Sequence, residues 1–251
     1  MRVFRPNIRL VFVLATLVLL AGFALGQGLQ LPQIQLGAQN GKNPGEVSNS
    51  LQILALLTIL SLAPAIMMLT TAFTRIIIIF SLVRTALGVQ NIPPNQVMIG
   101  FSLFLTFFVM APTYDKINTT AIKPYIEKKI PIDQATTLAQ KPLREFMLKN
   151  TYRSDLKLFL DMRGETATKD DVSLVALIPA FVMSEMKTAF VVGFYIFIPF
   201  LIIDLIVASV LMSLGMMMMP PAAISLPAKM LVFILADGWS VLVQAILSGY
   251  F

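Results

Sequence analysis

The sequence predicts an all-α membrane protein: two long helical hairpins with a helical insertion between them. Three observations lead there. Hydrophobic residues make up 57% of the 251 positions and charged residues 13%, about half the ~25% usual in soluble domains. Mean hydropathy is +0.81, so lipid, not water, is the solvent expected for most of the surface. Apolar residues are gathered in four blocks, 51–83, 97–112, 189–219 and 230–251. A spanning helix needs about 20 such residues to cross roughly 30 Å of hydrocarbon.

The chain opens on a signal-peptide pattern, 1–26. Arg2, Arg5 and Arg9 form a basic region, 10–20 is a short apolar core, and Ala24-Leu25-Gly26 offers small residues before Gln27. Cleavage after Gly26 is expected. An uncleaved anchor is the alternative, and in either case the next segment starts outside the cytoplasm. Residues 27–49 are rich in Gln, Gly, Asn and Pro without periodicity and read as a disordered tail.

Residues 50–112 read as the first hairpin. Its first block, 51–83, carries only Arg75 as a charge. As one helix its 33 residues would run about 50 Å, so part must tilt, leave the lipid or pack on protein. The second block, 97–112, is short for a span. The connection between them carries Arg75 and Arg84 and no acid, which suits a cytoplasmic turn.

Residues 113–179 hold 11 Lys/Arg and 9 Asp/Glu and read as a helical insertion outside the cytoplasm. Leu143, Phe146 and Met147 are spaced i, i+3, i+4, as are Leu156, Phe159 and Leu160. Pro142 suits a first helical turn, and Gly164 suits a stop. Phe146 and Phe159 stand on faces that one subunit can scarcely bury, so they are expected near subunit contacts together with Glu185; Lys187 is read the same way.

Residues 180–251 read as the second hairpin, with blocks carrying only Asp204 and Asp237. Its motifs weakly echo the first: Pro64-Ala65 then Thr71-Ala72-Phe73, against Pro179-Ala180 then Thr188-Ala189-Phe190. An aspartate in the middle of a span costs about 2.5–3.5 kcal/mol on insertion scales. Asp204 and Asp237 therefore serve either a proton relay or a buried bond, with Lys229, Arg75 or Arg84 as partners.

Enzyme classes fall away quickly. There is no Cys and no His, which removes disulfides, thiol chemistry, Cys/His metal sites and every His-dependent dyad or triad. Neither aspartate sits in the Gly-x-Gly-Asp context of intramembrane aspartyl proteases, and no phosphate-binding loop is present. No metal or cofactor is expected. Net charge is +6, of which the first nine residues supply 3, leaving +3, too little to argue for nucleic acid.

Met216, Met217, Met218 and Met219, followed by Pro220-Pro221, form the most unusual segment. Methionine is unbranched and polarizable and repacks around varied partners. Placed between two antiparallel blocks, this is either an apolar loop buried in protein or a deformable seal across a pore.

The chain closely resembles the FliP family of flagellar type III export-gate subunits, whose injectisome relatives are the SctR family. The resemblance is carried by FTRIIIIFSLVRTALG (73–88), PPNQVMIGFSLFLTFFVMAP (93–112), PLREFMLKNT (142–151), SEMKTAF (184–190), FIPFLIIDLIVASVLMSLGMMMMPP (197–221) and LPAKMLVFILADGW (226–239). It spans nearly everything after the tail. It implies several copies, five by the family pattern, joined to FliQ-like and FliR-like subunits in a closed helical gate, with a FlhB-like protein at its cytoplasmic mouth. It implies passage of unfolded rod, hook and filament proteins through a bacterial inner-membrane complex lying largely on the periplasmic side. It also implies that Met216, Met217 and Met218 form the gate; an aliphatic residue often stands in the family where this chain has Met219. A proton- or ion-coupled transporter using Asp204 and Asp237 is the alternative.

Overall fold

The computed structural model describes residues 54–55, 57–58, 61–62, 64–89, 91–165, 172–216 and 218–251. The expected signal peptide, the tail and Met217 lie outside the described residues. The described residues from Leu60 to Phe251 form one compact unit, and every element named below belongs to it.

The first apolar block is not one helix. α1, Pro64–Thr70, meets α2, Phe73–Leu87, at an 80° bend. Threonines hold the bend. Thr70 and Thr71 donate their hydroxyls to the Ile66 and Met67 carbonyls at 2.9 and 2.8 Å, and Thr74 donates to the Met68 carbonyl at 3.0 Å. These bonds satisfy carbonyls that an interrupted helix would otherwise leave open. α2 ends at Gly88, whose φ of 77° is a left-handed cap that a side chain would strain.

α3, Asn95–Ile117, follows Pro93-Pro94 and runs through Pro112 into a π-helical turn, Asn118–Ile122, and the short α4, Lys123–Ile126. The insertion then supplies α5, Ile132–Lys149, and α6, Arg153–Arg163. Pro142 does not open a helix as expected. It lies inside α5, and Pro131 stands at the N-cap instead, because the segment from Ile132 onward is already helix-permissive. Gly164 does stop α6, in the left-handed region at φ 66°.

α7, Leu174–Ser213, is a single helix of 40 residues, about 60 Å long at 1.5 Å per residue. It begins inside the polar stretch because Ser173 caps it, its hydroxyl accepting from the Val175 N–H. α3 likewise outruns the apolar block 97–112, so helix ends follow caps and turns and not the change in hydropathy. The fourth block breaks into α8, Pro221–Leu235, and α9, Gly238–Ser248, which meet at 67°. Asp237 stands at that break with φ 49°, exposed. It therefore stands between two helices and not inside one continuous helix.

All elements among the described residues are helical. Two runs, Asn95–Ile126 and Leu174–Ser213, are long and apolar enough to cross a membrane, or up to four if each bent pair counts as one span. α2 and α7 form the most extensive helix pair. They come close at Gly193, where a Cβ would sit 2.2 Å from Leu82 Cδ1. The main core gathers Ile76, Ile79, Phe80 and Val83 of α2 with Val109, Phe200, Phe233 and Ile246. A second core joins Met147, Val172, Leu177 and Phe181, with Leu143, Phe146, Leu156 and Leu160 packed around it. The two stripes read from the insertion thus meet on the first turns of α7.

Candidate functional site

Among the described residues, three polar pairs with at least one buried partner tie the helices together. The deepest joins Arg75 of α2 to Glu185 of α7, with side chains 5% and 0% exposed. Glu185 accepts from Arg75 through Oε1 and from the Tyr250 hydroxyl through Oε2 at 2.6 Å. Arg75 also donates to the Gly249 carbonyl at 3.3 Å, and its guanidinium carbon lies 4.0 Å from the Tyr250 ring centroid. Both carboxylate oxygens of Glu185 are thus engaged within the chain.

The second pair is Lys229 of α8 with Asp204 of α7, at 2.5 Å. Lys229 is buried and also donates to the Ala86 carbonyl at 3.1 Å. Its ammonium therefore sits where the last carbonyls of α2 gather, a favourable place for a cation. Of the three cations considered for Asp204, the structure brings up Lys229. Arg75 goes to Glu185, and Arg84 donates to Asn95 Oδ1 at 2.6 Å.

The third pair latches α6 to α7. Lys187 bonds Asp155, Ser184 donates to Asp155 Oδ2 at 2.8 Å, and the Tyr152 N–H donates to Ser184 Oγ at 3.0 Å. Burial pushes the Asp155 carboxyl up, but the bonds and charge from Lys187 and Ser184 outweigh it and hold the carboxyl below its ordinary range. A depressed carboxyl stabilises the fold above its unfolded value and loses that contribution as pH falls through the folded one. Asp155→Asn should therefore loosen α6 at pH 7, and the difference should shrink as pH falls below the ordinary value of 3.8 and vanish only once the folded carboxyl is itself protonated, at a still lower pH. Protease cutting of α6 across pH checks this, and equal sensitivity of variant and unmodified chain at pH 7 would contradict it.

Asp155, Ser184 and Tyr250 were not among the residues singled out in the sequence. Asp155 reads there as an ordinary first-turn acid, and Tyr250 as the end of an apolar run. Phe146 packs edge-on against Phe181 at 5.9 Å and is stacked on Tyr250 at 6.1 Å, so it has aromatic partners within the chain. Phe159 is half-buried on α6. Among the described residues, no three acidic side chains gather in a way that could hold a metal ion.

The methionine loop lies between α7 and α8. α7 ends at Ser213, Gly215 turns at φ 73°, and Pro221 starts α8. Met218 is 100% exposed, and Met216 and Met219 are 40% and 39% exposed. Three apolar side chains are thus presented away from the chain's own core.

A sequence model of the FliP family matches residues 56–246. The chain belongs to the FliP family. It is 51% identical to the flagellar biosynthetic protein FliP of Bacillus subtilis (strain 168) over 213 residues, covering 84% of this chain and 96% of that protein. It is 43% identical to the protein of the same name from Aquifex aeolicus (strain VF5), over 94% of this chain and 98% of the relative. A third FliP, from Cereibacter sphaeroides, is 42% identical over 94% of this chain and 81% of its own length. The FliP match takes in the three polar pairs and the methionine loop, and it stops before Tyr250.

Proposed function

We propose that this FliP-family chain is a core subunit of the flagellar protein export gate, lining the channel through which unfolded rod, hook and filament proteins cross the bacterial inner membrane. It acts as part of a conduit and not as an enzyme. Several copies, five by family resemblance, assemble with FliQ-like and FliR-like subunits, and a FlhB-like protein adjoins the mouth. After loss of the signal peptide 1–26, the hairpins 50–112 and 180–251 and the insertion 113–179 form a gate lying largely on the periplasmic side.

The observation that carries this reading is the methionine loop. A gate must block ions when idle yet admit a chain that presents every kind of side chain. Val or Ile would seal, but β-branched side chains are stiff at χ1. Charged side chains would stay hydrated and leak. Methionine gives an apolar seal with soft torsions, and exposed copies from several subunits around one axis close a ring. Met216, Met217, Met218 and Met219 supply that seal.

Deleting 216–218 should leave the complex assembled but leaky, with raised membrane conductance and poor growth in cells that overproduce it. A deletion that assembles, exports and stays as impermeable as the unmodified complex would show that the loop only packs. The transporter alternative gains nothing from the geometry, since Asp204 is held by Lys229 and Asp237 sits at an exposed helix break.

A further inference from the structure

We propose that Gly249-Tyr250-Phe251 is a strap that fastens the insertion to both hairpins, so that the order of α5 depends on the far end of the chain. The last carbonyls of α9 have no partner within their own helix, as at any helix C-terminus. Here two cations from two other elements take up the carbonyls that follow. Arg75 of α2 donates to the Gly249 carbonyl at 3.3 Å, and Lys149 of α5 donates to the Tyr250 carbonyl at 2.9 Å. Cations also complement the negative end of the helix.

Tyr250 itself is 5% exposed and makes four further contacts. Its hydroxyl donates to Glu185 of α7 at 2.6 Å and lies 3.4 Å from the Ala72 carbonyl. One ring face carries the Arg75 guanidinium at 4.0 Å. The ring is also stacked with Phe146 of α5 at 6.1 Å and an interplanar angle of 17°. Phe251 adds an edge-on contact with Phe108 of α3 at 6.1 Å. Gly249 is the residue that lets Arg75 approach, because a Cβ there would stand 3.1 Å from its Nη1.

Three consecutive residues therefore touch α2, α3, α5 and α7. Lys149 and Phe146 are the contacts α5 gives to this end of the chain, across 101 positions of sequence between Lys149 and Tyr250. A disturbance at Tyr250 is therefore felt first at the end of α5, around Phe146 and Lys149, although Met147 also packs on Phe181 of α7, while α6 is latched to α7 through Asp155.

Amide hydrogen exchange on the detergent-extracted complex with full-length chain tests this. Tyr250→Leu removes hydroxyl and ring, and should raise exchange over residues 146–150 about tenfold while leaving α6 protected. Tyr250→Phe keeps the ring and should restore most of the protection at 146–150. Should Tyr250→Leu yield no complex, Lys149→Met leaves the Tyr250 ring and Glu185 in place and should raise exchange at both 146–150 and 247–250. The strap is overturned if Tyr250→Leu loosens α6 as much as α5. It is equally overturned if Lys149→Met leaves residues 247–250 as protected as in the unmodified chain.

Discussion

Glu185→Leu should cost the chain about 3–5 kcal/mol and most of its folded yield, the usual effect of removing one partner from a buried ion pair. The reason lies in what stays behind. Arg75 is 4% exposed, and its Nε already lacks a hydrogen-bond partner. Without Glu185 its charge keeps, among the described residues, the Gly249 carbonyl and the Tyr250 ring, while the Tyr250 hydroxyl keeps the long contact to the Ala72 carbonyl. With net stabilities of roughly 5–15 kcal/mol, such a loss removes a large share of the total. Arg75→Met together with Glu185→Leu removes both charges and should recover much of the loss, because a well-packed apolar pair often equals a buried ion pair. The measurement is thermal unfolding in detergent of the two single variants and the double. A Glu185→Leu variant that melts with the unmodified chain, or a double variant worse than both singles, would refute the account.

What the sequence revealed and what it hid divide along physical lines. Helical class and apolar runs follow from hydropathy, which each segment carries by itself. The stripes Leu143/Phe146/Met147 and Leu156/Phe159/Leu160 marked the insertion as helical, but their apolar faces read as subunit contacts, whereas all of these residues except Phe159 pack around Phe181 within the chain. Helix ends were less legible. The bend at Thr71-Ala72 lies inside an unbroken apolar run, and only threonine back-bonding marks it. Asp237 looked like a charge within one continuous helix because a left-handed residue between two helices leaves hydropathy unchanged. Partner choice was least legible of all. A buried charge announces that it needs a partner, but helical period says nothing about which helix supplies one. Arg75 finds Glu185 across 110 positions, and Lys229 finds Asp204 across 25. Asp155 gave no warning, since an acid in a first helical turn is explained by the helix dipole alone.

Gly193→Ala should destabilise the chain, although the same change inside an ordinary helix stabilises by about 1 kcal/mol. The opposing term is the close approach of α2 and α7. A Cβ at 193 would lie 2.2 Å from Leu82 Cδ1, and that methyl can swing aside. It would also lie 3.1 Å from Leu82 Cβ, which moves only if α2 moves, and 3.2 Å from Cγ, which moves only by a change of χ1. Overpacking of this kind costs about 1–3 kcal/mol, which exceeds the propensity gain over most of its range. Gly193→Val adds more volume at the same point and should be worse, by a melting-temperature drop of several degrees. Leu82 is only half-buried, so Leu82→Ala is a mild change by itself, and it removes the Cγ and Cδ atoms that collide. The pair Gly193→Ala with Leu82→Ala should then be more stable than the sum of its parts, the non-additivity expected of residues in contact. Thermal unfolding of the four chains in detergent reads the coupling directly. If Gly193→Ala raises the melting temperature, as a free helical glycine would, α2 and α7 are not in close contact at this position.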